Sequence, residues 1–515
     1  MKPNSNSPGC CSAPCTGHCG VSRRDFFGVA GAGAAALSGL PRASAAPAAD
    51  PARQQPIRAP LKVQPVFCYD TPKRREHTSW RSWGGIETEP QASEEKERIG
   101  RELAAMTKSA GFPVEILPLA VVRTPEEAAN LPRGSYDASI MYAAGGGVNT
   151  YDALARASRW NIMFVRHRSG PVYLWYEIAH PRFLRKTVDE YGQTGMDVND
   201  VVVDSHAEIA MRLRALYGLK NTLGKKVVAV GGPSGWGEGG RVAPDRAREV
   251  FKLDIQTVSY DDLGARIRKA RENDAVVKRS TAAAEQYMRQ KGVTVSTSRD
   301  FVTRAFLLTE VFRDLLDEAR TDAITINQCM GTIMGISETS ACLPLSLLND
   351  DGYMAFCESD FVVVPSGILL RYIADTPVFL NDPTYPHDGV VTLAHCTAPR
   401  KLDGQHFEPV KVLTHFESDY GAAPKVEFRK GMAITTLVPD FGFKKWVGFT
   451  GDVVEVPFLP ICRSQVDVSI KGSTQKLLEE MKGFHWMMSY GNYLRETGYA
   501  LRKAGVDFVN ISERA

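Results

Sequence analysis

The chain has 515 residues, 43% hydrophobic and 23% charged, and its formal charge of +3 comes from 62 basic residues nearly balanced by 59 acidic ones. A length above the roughly 250–300 residues at which one core stops growing predicts two or three domains. So even a balance of charge excludes nucleic acid and acidic membrane surfaces as predicted partners.

The chain opens on a legible export signal. Ser22-Arg23-Arg24-Asp25-Phe26-Phe27 fits the twin-arginine pattern, a weakly apolar stretch runs from Gly28 to Leu40, and Ala43-Ser44-Ala45-Ala46 supplies a small-residue cleavage site. Residues 1–46 are therefore expected to be a leader and residues 47–60 a Pro/Ala-rich linker. The twin-arginine translocase is the expected export partner and the periplasm or extracellular space the destination. The apolar stretch is too short and too rich in Gly and Ala for a membrane span, which needs ~20 strongly apolar residues. Cys10, Cys11, Cys15 and Cys19 crowd around His18, but their spacing holds no C-x-x-C pair. The body cysteines Cys68, Cys329, Cys342, Cys357, Cys396 and Cys462 sit mostly in apolar, strand-like contexts, where a thiol packs as a small hydrophobe rather than in a disulfide framework.

Leu61–Cys68 reads as a strand, followed by a helix over Ser93–Ala110 with Ile99, Leu103 and Met106 on one face. A strand at Phe112–Leu119, a short helix at Pro125-Glu126-Glu127 capped by Thr124, and a strand at Tyr136–Tyr142 continue an α/β alternation. This first unit is expected over 61–180. A second α/β unit over 181–387 contains strands at Lys225–Val230, Leu253–Val258 and Thr321–Cys329, a long helical stretch Leu263–Lys291 and a helix Arg304–Ala319. From 388 to 515 the pattern turns to alternating strands at Val390–His395, Val410–His415, Met432–Val438 and Val453–Phe458, closed by helices at Gln475–Lys482 and Tyr493–Ala504. The fold class predicted is α/β: two doubly wound parallel-sheet domains followed by a C-terminal β-rich domain.

Two Gly-rich loops follow strands, Gly145-Gly146-Gly147 and the run Gly231–Gly240. Neither matches a dinucleotide or P-loop fingerprint, so both read as tight turns at a domain cleft. The dense region lies between 338 and 400: Glu338, then Cys357-Glu358-Ser359-Asp360, Asn381-Asp382, His387 and Ala394-His395-Cys396. Most of these polar groups follow or end an apolar run, where a sheet delivers its residues to a shared cleft. Downstream, His485 sits inside the apolar run Phe484–Tyr490. Two carboxylates and one imidazole would leave positions open on a divalent cation such as Mn²⁺ for a substrate's adjacent oxygens.

The succession Cys342–Gly352, Cys357-Glu358-Ser359-Asp360, Pro377–Asp382, Ala394–Pro399, Cys462-Arg463-Ser464-Gln465 and His485–Gly491 resembles the C-terminal half of the L-fucose/L-arabinose isomerase superfamily. The resemblance implies an N-terminal and a central α/β domain, a C-terminal barrel-like domain, and a homo-oligomer. It implies Mn²⁺, or another divalent cation, held by two acids and a histidine: Glu338, then either Glu358 or Asp360, and His485. The activity implied is interconversion of an aldose and a ketose through an enediolate. In it one carboxylate carries the proton between C1 and C2, the other assists the hydroxyl proton, and no organic cofactor takes part. Arg463, His395 and His415 are candidates for gripping sugar hydroxyls. Two other readings share parts of this pattern: a periplasmic sugar-binding protein, and a lyase or epimerase using the same enediolate.

Overall fold

The computed structural model describes residues 58–184 and 195–513. The expected leader, its cysteines and the linker up to residue 57 lie outside the described residues.

Six strands form a parallel first sheet: β1 (Leu61–Cys68), β2 (Val114–Ile116), β3 (Ala120–Val122), β4 (Ala138–Ala143), β5 (Trp160–Val165) and β6 (Val201–Val203). Their order is β2-β1-β4-β5-β6, with β3 also on β1. The central strands β4 and β5 are buried along their whole length, which explains their unbroken apolar runs: a parallel sheet is covered on both faces. One covering helix, Glu89–Ser109, begins earlier than expected because Thr88 and Gln91 form a capping box, and it buries Ile99, Leu103 and Met106 as its periodicity predicts. β6 carries this sheet past the expected boundary at 180.

The second sheet is also parallel. It contains β7 (Lys226–Val230) and β8 (Asp254–Val258); a short β9 (Val293–Val295) stands apart; β10 (Ala323–Ile326) and β11 (Met354–Cys357) complete the order β11-β10-β7-β8. The stretch read as one helix from Leu263 to Lys291 is two, Tyr260–Arg271 and Asp274–Met288. Asn273 separates them, because its side chain accepts from the N–H groups of Ala275 and Val276 and starts a new helix.

The last third is a barrel. Its strands are β12 (Phe379–Pro383) and β13 (Val390–His395), then, after a small side sheet of β14 (Val410–Leu413) and β15 (Ala423–Val426) with β9, β16 (Ala433–Val438), β17 (Lys445–Glu455), β18 (Ser464–Ser469) and β19 (Trp486–Tyr490), with β20 (Asp507–Asn510) added outside. Antiparallel pairing runs β16-β19-β12-β13-β18-β17, and β17 pairs back onto β16, closing the ring. Closure removes exposed edges and leaves an interior filled by Phe379, Leu393, Ile434, Phe449, Val466 and Trp486. Because β12 is a barrel strand, the barrel begins before the expected boundary at 388. The helix Val364–Ala374, buried at every residue, joins the end of the second sheet to the barrel. Among the described residues no helix is long and apolar enough to cross a membrane.

Candidate metal centre

Strands β10 and β11 end side by side, with Ile326 opposite Cys357. At the end of β11 the backbone turns sharply: Glu358 and Ser359 both adopt left-handed conformations, φ 63° and 47°. Such residues cost roughly 1–2 kcal/mol each without a glycine, and they persist where surrounding structure holds them. Here the Gly231–Gly240 loop after β7 does so. Ser234 N–H donates to the Ser359 carbonyl at 3.0 Å, and Phe361 N–H donates to the Ser234 carbonyl at 3.0 Å. The loop can lie this close because Gly235 and Gly240 pack backbone to backbone; a Cβ on Gly235 would come within 2.0 Å of the Gly240 carbonyl oxygen.

The turn aims Glu358 at the barrel. Its carboxylate accepts from the Trp236 indole N–H. From β13 comes His395, whose Nε2 is 3.7 Å from Glu358 Oε1; from the residue just before β19 comes His485, whose Nε2 is 3.5 Å from Glu358 Oε2. Donor atoms of Glu358, His395 and His485 all lie within 4.8 Å of one another. Asp382 on β12 stands at the edge, its Oδ1 3.1 Å from His485 Nε2, and neither of these buried atoms makes an aligned hydrogen bond. Two polar atoms facing one space without satisfying each other fit a shared cation, and imidazole with carboxylate is a donor set that borderline and hard divalent ions accept.

The second acid left open by the sequence divides into two roles. Asp360 is wholly buried and does not face the donor cluster. Its Oδ2 accepts from His485 Nδ1 at 2.8 Å, and its Oδ1 accepts from the N–H of Val362 at 3.0 Å. Glu358 is therefore the acid of the cluster, and Asp360 fixes the ring that faces it. Electrostatics follow. Burial would raise Glu358, but the neighbouring His395 and His485 with Trp236 hold it down at about 2. Burial would lower His485, but Asp360, Asp382 and Glu358 outweigh it and lift the imidazole to about 10. His395 is shifted upward in the same way, with burial opposed by Glu358 and Asp382.

Glu338 departs from expectation. It caps the helix Thr332–Ser337 in a left-handed conformation, is nearly half exposed at 46%, and pairs with Arg271 at 3.1 Å and Arg304 at 3.5 Å. These arginines, on neighbouring helices, hold its carboxylate away from the cluster. The barrel supplies Asp382 instead; its signal in the sequence was an acid ending an apolar run. His415 is buried, lines the inner cavity and contacts Ser418 Oγ through Nδ1 at 3.0 Å. Arg463 donates to the Thr414 carbonyl at 2.7 Å and covers the Phe416 ring, so it ties a loop rather than reaching the cluster.

Two connected spaces serve these residues. An outer cleft of about 520 Å³ is bounded by Trp236, Gln328, Met330, Thr332 and Glu358. An inner cavity of about 120 Å³ reaches Asp382, His395, His415 and, unexpectedly, Cys329, Cys342, Cys357, Cys396 and Cys462. The cysteines read as scattered hydrophobes thus converge, because strand ends of sheet and barrel meet there. At the entrance Trp236 stacks on Phe484 with ring centres 4.6 Å apart, both rings partly exposed. No family model matches this chain, and a search of curated proteins finds no relative.

Proposed function

We propose that this protein is a metal-dependent aldose–ketose isomerase of the L-fucose/L-arabinose isomerase kind, exported by the twin-arginine route. What supports the reading most is the convergence of Glu358, His395 and His485 donor atoms within 4.8 Å, at the foot of a cleft large enough for an open-chain sugar. These three residues would hold the cation. When bound, a divalent ion such as Mn²⁺ supplies Lewis-acid stabilisation of negative charge developing on adjacent sugar oxygens.

The chain's own groups do the rest. Asp382, at the edge of the cluster and partly open to solvent, takes the C2 proton and returns it to C1. Glu358, kept ionised by its histidine neighbours, orients the substrate and moves the hydroxyl proton from O2 to O1, which completes the shift from aldose to ketose. The stacked Trp236 and Phe484 offer an apolar face for the C–H side of a sugar and narrow the path for water.

The test is solvent isotope exchange. Manganese-loaded protein in deuterated water is incubated with aldopentoses, aldohexoses and deoxy sugars; ketose formation with deuterium at C1 of the ketose and at C2 of the recovered aldose is the expected result. Exchange without ketose would point to an epimerase or lyase on the same scaffold. With neither exchange nor turnover in a metal-replete sample, the isomerase reading fails.

A further inference from the structure

Six cysteines lie among the described residues, all free thiols, and five of them line the inner cavity. They arrive from separate segments of sheet and barrel, so no single apolar strand accounts for their meeting. Within this group one set has ligand geometry. Cys329, in the loop after β10, and Cys357, the last residue of β11, place their sulfur atoms 3.1 Å apart. Glu358 follows directly, and its left-handed turn brings a carboxylate oxygen back so that the three donor atoms lie within 4.8 Å of one another.

A pair of buried thiols alone would be a satisfied core contact. A carboxylate aimed at the same point, beside a cavity wide enough for an ion, calls for a different account. Two sulfurs and an oxygen are a donor set for a borderline or soft cation, which tolerates thiolate, and not for one that prefers oxygen alone. Tetrahedral coordination at ~2.3 Å metal–sulfur distance separates the two sulfurs by roughly 3.8 Å, a small rotation of each side chain from the spacing seen here. We propose that Cys329, Cys357 and Glu358 form a second cation site, for a thiophilic divalent ion of the Zn²⁺ class, sharing Glu358 with the imidazole cluster. On binding, each thiol releases its proton to solvent and the ion gains two thiolate bonds. No oxidation is involved. This site stands independently of the sugar reaction: it rests on the sulfur positions, and it would exist on a binding protein as well.

Cadmium is a probe with an optical signature. The full chain, reduced and freed of metal under anaerobic conditions, is titrated with Cd²⁺ while the thiolate-to-cadmium charge-transfer band is followed in the ultraviolet. A saturable band is expected in the parent protein and in His485→Ala. Replacing both thiols, Cys329→Ser with Cys357→Ser, should remove the band and weaken Cd²⁺ binding by more than the ~10–100-fold that loss of an outer partner costs. Serine keeps the shape, and matching thermal unfolding shows that the fold survives. Cys396→Ser, at a thiol that bonds with Cys342 and Cys462 rather than with this pair, should keep the band. The proposal is overturned if the reduced parent protein gives no band, if the double variant retains it, or if Cys396→Ser abolishes it instead. A Cys329–Cys357 disulfide that re-forms as the only chemistry of the pair, with no cadmium band beforehand, overturns it too. Absence of sugar exchange in manganese-loaded protein would leave this band untouched, so the two readings fail separately.

Discussion

His485 Nδ1 donates to Asp360 Oδ2 at 2.8 Å, and both side chains are entirely buried. This one bond fixes the ring: Nδ1 keeps its proton, so a cation that displaces the proton from Nε2 would meet that nitrogen's lone pair in the space shared with Glu358 and Asp382. Asp360 can serve as a fixed support because its other oxygen accepts from the backbone N–H groups of Val362, in the turn, and of Trp236, in the glycine loop. Replacing Asp360 by Asn keeps the shape and removes the charge that makes the imidazole basic. Divalent-ion affinity is expected to fall by about 10–100-fold, measured by competition with a chelator, while thermal unfolding of the metal-free protein confirms an intact fold. Unchanged affinity would mean that Asp360 merely fills the core.

The pH response of the same residues has a definite sign. In metal-free protein the His485 value is raised from 6.5 to about 10, so its stabilising contribution is complete below about pH 6.5 and lost as pH climbs through about 10. Glu358 is depressed from 4.5 to about 2; its contribution is complete above about pH 4.5 and lost only as pH falls through about 2. Denaturant unfolding of the metal-free protein should therefore show declining stability between about pH 6.5 and about pH 10, and His485→Gln should flatten that slope. Apparent metal affinity should move the other way and rise over the same window, because ion and proton compete for the imidazole.

A contrast between two glutamates tests the redrawn site. Glu338→Gln removes a partner of Arg271 and Arg304, both ion pairs being partly exposed, and should cost only ~0–1 kcal/mol. Metal content and turnover should stay at the parent level. Glu358→Gln removes a ligand and an ionised carboxylate, so turnover should fall by ~10²–10⁴-fold, with loss of bound ion. Metal analysis beside isotope exchange reads both effects, and a collapse in Glu338→Gln would return that residue to the site.

How much of this was legible in the sequence depends on distance along the chain. Local rules worked where the cause is local: the stripe of Ile99, Leu103 and Met106, the apolar runs of β4 and β5, the glycine loop after β7. The barrel strands showed as alternation, but alternation does not say that β17 returns to pair with β16, since closure is a property of partners far apart. Glu358 and His485 could be singled out as an acid at a strand end and an imidazole in an apolar run. Their arrangement could not. That Asp360 turns inward to His485 while Glu358 turns outward follows from two left-handed residues in succession, which nothing in the side chains of Glu358 and Ser359 announces. The cysteines are free and nearly all buried, as their apolar contexts predict, but that five of them meet was not legible, since only the meeting of strand ends makes them neighbours.

The glycine loop after β7 holds the turn that carries Glu358, and one added methyl group should break that hold. Gly235 and Gly240 approach so closely that a Cβ at 235 would stand 2.0 Å from the Gly240 carbonyl oxygen, a distance no side-chain rotation relieves because both partners are backbone. Gly235→Ala must therefore move the loop. The loop is bonded to the turn by Ser234 on Ser359 and by Trp236 on Glu358, so its displacement frees two left-handed residues from the contacts that hold them. Overpacking of this kind costs roughly 1–3 kcal/mol, and relaxation of Glu358 toward ordinary backbone angles should carry its carboxylate out of reach of His395 and His485. Gly235→Ala is thus expected to lower the thermal midpoint and to lose bound ion, even though residue 235 touches no ligand atom. Gly237→Ala is the matching control: φ there is +69° but nothing lies within 4 Å of an added Cβ, so only local strain is introduced and metal should be retained. Equal metal content in parent and Gly235→Ala would show that the turn keeps its shape without the loop.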